Sequence, residues 1–182
     1  GMYRLFVAID LPEGVKSEVA GITGALPGGR WVPGSQLHLT LRFIGEVDEV
    51  SFQAIKGALA EVRGGPFPLT LKGVGHFPPG RYPRVLWVGM EVSGPLLELQ
   101  HRVESALADV GIPPEGRRFS PHITLARLKE TPAAAIEAFE ERFGNFRTGP
   151  FSVGEFHLYS STLTREGAIH TREASYLLAD RS

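Results

Sequence analysis

The chain of 182 residues is 42% apolar and 21% charged, with a formal net charge of −1, the balance of a soluble globular protein. It has no cysteine, which excludes disulfides, Cys-bound zinc and a thiol nucleophile and is compatible with a reducing cytoplasm. The small net charge gives no support to coating of nucleic acid by bulk electrostatics but leaves room for a small or local nucleotide end.

No run approaches the roughly 18 apolar residues of a membrane span, and the first residues lack the regions of a signal peptide. A cytoplasmic protein with no membrane association is expected. Gly1 ahead of Met2 reads as a tag remnant, and residues 2–182 as a single two-lobed domain.

In chain order, Tyr3 to Leu11 (YRLFVAIDL) is a nearly continuous apolar run, the pattern of a central strand buried on both faces. Asp10, Pro12 and Glu13 resemble a helix start, and Val15, Val19, Ile22 and Leu26 then recur on one helical face until the PGG at 27–29. Trp31 and Val32 lead into the strand LHLTLRFIGE (37–46). Asp48 is placed as the cap of a second helix with an apolar stripe of Phe52, Ile55, Leu59 and Val62, closed by Gly64, Gly65 and Pro66. The runs FPLTLKGVGHF (67–77) and RVLWVGMEV (84–92) read as antiparallel strands around the turn-rich PPGRYP.

Pro95 opens a third helix, with Leu96, Leu99, Val103, Leu107 and Val110 facing the core and Gly111 just past its end. A second motif strand, PHITLARL (121–128), follows the loop PPEGRRFS. Thr131 is the expected cap and Pro132 the first residue of a fourth helix carrying Ile136, Phe139 and Phe143. Strands are expected again at GEFHLYSSTL (154–163) and, after a turn near Gly167, at SYLLAD (175–180). Helix, motif strand, helix occurs twice, which predicts an α+β protein of two similar lobes, each offering a motif strand to a shared cleft.

The motif strands carry the chemistry. His-x-Thr occurs at His38/Thr40 and at His122/Thr124, 84 residues apart (122 − 38). Residues i and i+2 of a strand share a face, roughly 7 Å apart, so each copy presents an imidazole beside a hydroxyl. A lone strand histidine is more often structural, and threonine is simply a good β-former. Two copies with the same apolar flanks point instead to an acid and a base working together near neutral pH. One imidazole could take a proton from water while the other protonates a leaving oxygen, with the Thr hydroxyls donating to a phosphoryl oxygen; no metal or cofactor is needed. Arg42 shares a face with His38 and Thr40 under strict alternation and is a further candidate phosphate contact. His76, His101, His157 and His170 lack a partner at metal-ligand spacing and read as structural or surface residues. Trp31, Phe43, Phe77 and Phe119 are candidates for a base-stacking surface.

The strings HLTLRFIGEV (38–47) and SPHITLARL (120–128), with the opening YRLFVAIDLP and the segment RVLWVG, resemble the RNA 2′,3′-cyclic phosphodiesterases once called 2′-5′ RNA ligases, within the two-histidine phosphoesterase superfamily. The resemblance spans nearly the whole chain. It implies a bilobal, pseudo-two-fold α+β fold in which two mainly antiparallel sheets, flanked by helices, enclose the active-site cleft. It also implies metal-independent opening of a 2′,3′-cyclic phosphate to a 2′-phosphomonoester, accompanied in some members by 2′-5′ joining of RNA ends. By this similarity His38 is the proton donor to the 3′ oxygen, His122 the proton acceptor from water, Thr40 and Thr124 phosphate contacts, and Arg127 the arginine near the cyclic phosphate. Arg127 lies five residues after His122 and falls on the opposite face unless a bulge or the strand end follows Leu125. The expected partners are RNA ends or nucleotides bearing the cyclic phosphate, with no obligatory protein partner and a monomeric state. Alternatives are a phosphodiesterase for a small cyclic nucleotide, such as an ADP-ribose cyclic phosphate, and a non-catalytic RNA-end or nucleotide-binding module.

Overall fold

The computed structural model describes residues 1–22, 24 and 26–179. Strand β1 (Met2–Asp10) is buried continuously over Leu5–Ile9 and has a neighbour on each side, as its apolar run predicts. Helix α1 (Glu13–Ala20) is shorter than the apolar period predicts. It ends at Gly21, and Ile22 and Leu26 reach the core from the chain beyond. Asp10 does not cap it: Pro12 holds the N-cap place without a side-chain bond.

Strand β2 (Gly29–Trp31) and a single 3₁₀ turn (Gly34–Gln36) lead into the first motif strand, β3 (His38–Asp48). Asp48 caps α2 (Glu49–Leu59), its carboxylate accepting from the Ser51 N–H at 2.8 Å. Phe52, Ile55 and Leu59 are buried, while Val62 lies past the helix end.

The apolar run at 67–77 divides into β4 (Phe67–Leu69) and β5 (Leu71–Phe77), and only β5 pairs with β6 (Val85–Met90). Ser93 caps α3 (Gly94–Asp109), and Gly111 closes it with a φ of 85°. The Gly111 N–H donates to Ala108 O and the Ile112 N–H to Leu107 O, each at 3.0 Å, the paired closure that a left-handed residue makes possible.

The second motif strand, β7 (Ile123–Leu128), is followed by α4 (Ala133–Phe143). The cap expected from Thr131 does not form: Pro132 holds the N-cap place, and the Thr131 hydroxyl is buried without a hydrogen-bond partner among the described residues. The chain ends in β8 (Phe151–Val153), β9 (Glu155–Thr164) and β10 (Gly167–Leu177). The last strand begins well before the expected Ser175, and Asp180 of SYLLAD lies outside the described residues.

The fold is α+β with two lobes. Strand order is β10-β9-β1-β3-β7-β6-β5, with β2 also on β7, and the neighbours pair antiparallel; β4 and β8 form a small second sheet. Helices α2 and α3 pack on each other and on β3, and α4 packs on β5. Their buried leucines, isoleucines and phenylalanines join the inner faces of both lobes into one apolar cluster.

The two expected sheets are continuous through a single residue pair, Leu39↔Ile123, at which β3 meets β7. Beyond it β3 and β7 part, and β2 pairs along the far half of β7, with Gly29↔Leu128, Arg30↔Arg127 and Trp31↔Ala126.

Candidate active site

The Leu39↔Ile123 bridge is the local two-fold axis of the site. Continued antiparallel, it sets Thr40 opposite His122 and His38 opposite Thr124, on neighbouring strands about 4.8 Å apart. Leu39 and Ile123 are fully buried on the helix side, while the two histidines and two threonines are half-buried on the other face. The structure therefore brings together the four residues that the repeated motif singles out.

Both imidazoles are fixed in the same way. His38 Nδ1 lies 2.6 Å from Gln36 O, and His122 Nδ1 lies 2.8 Å from Ser120 O. A carbonyl only accepts, so Nδ1 carries the proton in each ring and Nε2 is left as the working nitrogen. In the neutral ring, His38 Nε2 accepts from the Thr40 hydroxyl at 3.0 Å. Burial is the chief reason that both imidazoles titrate below the usual histidine value, and the Arg127 charge adds to it in each.

Strict alternation fails at matching places just after the motif in each strand, and in β3 a second time at Ile44. In β3, Thr40 pairs with Ala8 and Arg42 with Val7, leaving Leu41 unmatched. In β7, Thr124 pairs with Trp87 and Ala126 with Leu86, leaving Leu125 unmatched. Each bulge exchanges the faces of the residues after it. Arg127 is thereby turned to the histidine face, resolving the conflict in its spacing, and it is exposed there.

The same device corrects the placement of Arg42. Its guanidinium is turned to the helix side, 7% exposed, where it bonds Glu104 of α3 and the carbonyls of Phe43 and Pro113. It therefore does not face the cleft, and Phe43 takes the corresponding outward place.

A family model described as the 2′-5′ RNA ligase superfamily matches residues 11–165. The chain belongs to the 2′-5′ RNA ligase superfamily. It is 38% identical to the RNA 2′,3′-cyclic phosphodiesterase of Thermotoga maritima over 92% of this chain and 91% of that one. To the Escherichia coli enzyme of the same name it is 35% identical, over 89% of each chain. The fold is similar to that of E. coli LigT complexed with 3′-AMP, with a TM-score of 0.80, 30% identity and coverage of 99% and 100% of the two chains.

Around the paired motif lie residues that sequence spacing did not reveal. Phe6 stacks on His38 with centroids 5.1 Å apart, and Tyr159 covers the other side of Phe6 at 5.3 Å. His170, read from the sequence as structural or surface, lies edge-on to His38 at 5.5 Å and to Phe6 at 4.9 Å. Asp10 is the cross-strand neighbour of His38 and binds the Tyr159 hydroxyl at 2.6 Å and the Arg172 guanidinium. Burial, and then the bond to Asp10, push the Tyr159 hydroxyl up to about 12.

On the other lobe, Phe77 stands edge-on to His122 at 4.9 Å and packs on Trp87. Of the other stacking candidates, Phe43 approaches Phe6 at 5.9 Å, Trp31 packs on Phe139, and Phe119 lies against the core. His76 is tied to Glu140, and His157 is buried with Nδ1 2.8 Å from Ser175 Oγ. His101 is exposed on α3. Only β-sheet pairing over long sequence separations assembles Phe6, Asp10, Tyr159 and His170, so no local spacing could have signalled them.

Proposed function

We propose that this chain is an RNA 2′,3′-cyclic phosphodiesterase that converts cyclic-phosphate ends to 2′-phosphomonoesters by metal-independent acid-base catalysis. The observation that carries the proposal is the Leu39↔Ile123 bridge, about which one imidazole and one hydroxyl from each motif stand on a single face. The curated relatives bearing this activity in their names cover most of the chain.

In the proposed reaction His122 Nε2 takes a proton from water, and the water oxygen attacks phosphorus. The bond from phosphorus to the 3′ oxygen breaks, and His38 Nε2–H protonates that oxygen. The Thr40 and Thr124 hydroxyls and the Arg127 guanidinium stabilise the charge gathered on the phosphoryl oxygens. Solvent then resets both rings. A 5′-hydroxyl in place of water gives a 2′-5′ linkage by the same proton transfers.

The direction follows the resemblance to the cyclic phosphodiesterases. Beside His38 the charge of Asp10, which favours the protonated ring, is opposed by burial and by His170, and the matching place beside His122, next along from Val88↔Ile123, is Gly89. The chain is further proposed to act as a monomeric, two-lobed single domain in the cytoplasm.

The test is incubation of an oligonucleotide ending in a 2′,3′-cyclic phosphate with the protein in EDTA. A 2′-phosphate end is expected from wild type, with turnover reduced by about 10²-fold or more in His38→Ala and in His122→Ala. An unopened ring, or undiminished turnover in both variants, refutes the assignment.

A further inference from the structure

We infer that Arg30 reads a second phosphate in the cleft, the one on the 5′ side of the terminal nucleotide, so that the site prefers the end of a chain to a nucleoside cyclic phosphate. This rests on the phosphodiesterase reading above. Arg30 pairs directly with Arg127 across β2 and β7. Directly opposed residues of an antiparallel pair share a face, so both guanidinium groups belong to the face of His122 and Thr124. The neighbours agree: Trp31 packs on Phe139 of α4, and Ala126 and Leu128 are buried on the helix side, which leaves Arg30 pointing away from it.

Two like charges set opposite each other across a sheet cost stability unless something compensates them. Among the described residues neither guanidinium has an ion-pair partner or a side-chain hydrogen bond. Asp10, the carboxylate beside His38, is taken up by Tyr159 and Arg172. An anionic ligand is the missing compensation.

Arg30 also reaches across the cleft. A Cβ added to Gly167, at the β9–β10 turn of the other lobe, would stand 3.7 Å from an Arg30 Nη. The same turn is held by Gln36, whose Nε2 donates to Ala168 O at 2.6 Å. The pair Arg30/Arg127 thus closes the end of the cleft beyond His38 and Thr124. Arg127 serves the reacting phosphate, and Arg30, one strand further out on the same face at about 4.8 Å spacing, is the cation left for the next phosphate along the chain. Guanidinium forks suit such a phosphodiester.

Calorimetric binding of adenosine 2′-monophosphate and adenosine 2′,5′-bisphosphate to wild type, Arg30→Met and Arg30→Lys tests this, alongside kcat/KM for adenosine 2′,3′-cyclic phosphate with and without a 5′-phosphate. Wild type is expected to favour the 5′-phosphorylated member of each pair by about tenfold or more, as befits a charged hydrogen bond. Arg30→Met should lose most of that preference while handling the unphosphorylated member as wild type does, and Arg30→Lys should keep part of it. A preference that survives in Arg30→Met, or an equal loss toward both members, overturns the inference. The binding arm does not require turnover. A wild type that binds with the expected preference but opens no ring refutes the enzymatic reading and leaves the subsite standing.

Discussion

Phe43 and Arg127 hold matching places in the two halves: each lies five residues after its motif histidine, just past the bulge at Leu41 or Leu125. The site is therefore symmetric in its histidines and threonines and asymmetric in what stands beside them. One half adds an aromatic ring and the other a cation, while Asp10 sits beside His38 and a glycine at the matching place by His122. A symmetric pair of imidazoles becomes a distinct acid and base only through neighbours of this kind.

Burial holds both imidazoles below the ordinary value, and the Arg127 charge adds to it in each. Arg127→Met should lower kcat/KM by about 10²-fold, through loss of charge stabilisation at phosphorus. It should also move both limbs of the pH profile to higher pH, with Arg127→Lys restoring part of each effect. A profile that keeps its midpoints in Arg127→Met would show that the guanidinium does not act on the histidines.

Stability should fall on acidification from neutral pH. His38, His122, His157 and His170 all titrate below the ordinary value, in each case chiefly because of burial. The unfolded chain takes up protons as pH falls through about 6.5, before the folded protein does, so stability declines from there down to the folded-state values. Asp10, held low by Tyr159, His157 and Arg172 against the opposing effect of burial, adds a further loss at more acid pH, as its bonds are protonated away. Melting temperatures between pH 8 and 5 should decline, and His157→Gln should flatten that decline. A pH-independent melting temperature over this range would contradict the sign.

The motif faces could be read from sequence because His38/Thr40 and His122/Thr124 are two residues apart, a separation over which a strand's alternation holds. Arg42 and Arg127 could not be placed by counting, because their faces depend on bulges set against β1 and β6, which are distant in sequence. Asp10 resembled a helix cap through its spacing to Glu13, yet strand pairing beside His38 decides its role. Helix α1 had the apolar period to reach Leu26, but it stops at Gly21, and burial alone continues the pattern. His170 belongs to the site only because β10, β9 and β1 lie side by side.

The lobe that carries His122 depends on a glycine in β5. A Cβ on Gly75 would lie 2.3 Å from the Trp87 ring, and Trp87 is the ring against which Phe77, the neighbour of His122, is packed. Gly75→Ala should therefore displace Trp87 and destabilise the protein by about 1–3 kcal/mol, a typical overpacking cost. Near-ultraviolet circular dichroism should change with it, and KM should rise as Phe77 shifts. Unchanged melting and an unchanged aromatic signal would mean that the indole has room to move.

Arg42 offers the sharpest separation of a structural arginine from a phosphate-binding one. Its guanidinium joins β3 to Glu104 of α3 and to the Pro113 carbonyl in the loop beyond, and the carboxylate is itself only 20% exposed. Removing the cation leaves a largely buried carboxylate and a carbonyl without their donor, so Arg42→Met should cost about 3 kcal/mol or more in denaturant unfolding. Arg42→Lys cannot reproduce the three-way fork and should recover only part of this. Because the side chain faces away from the cleft, kcat/KM measured well below the melting temperature should stay within about twofold of wild type, since only a contact to the reacting group would lower it further. A selective loss of turnover with stability preserved would instead return Arg42 to the phosphate.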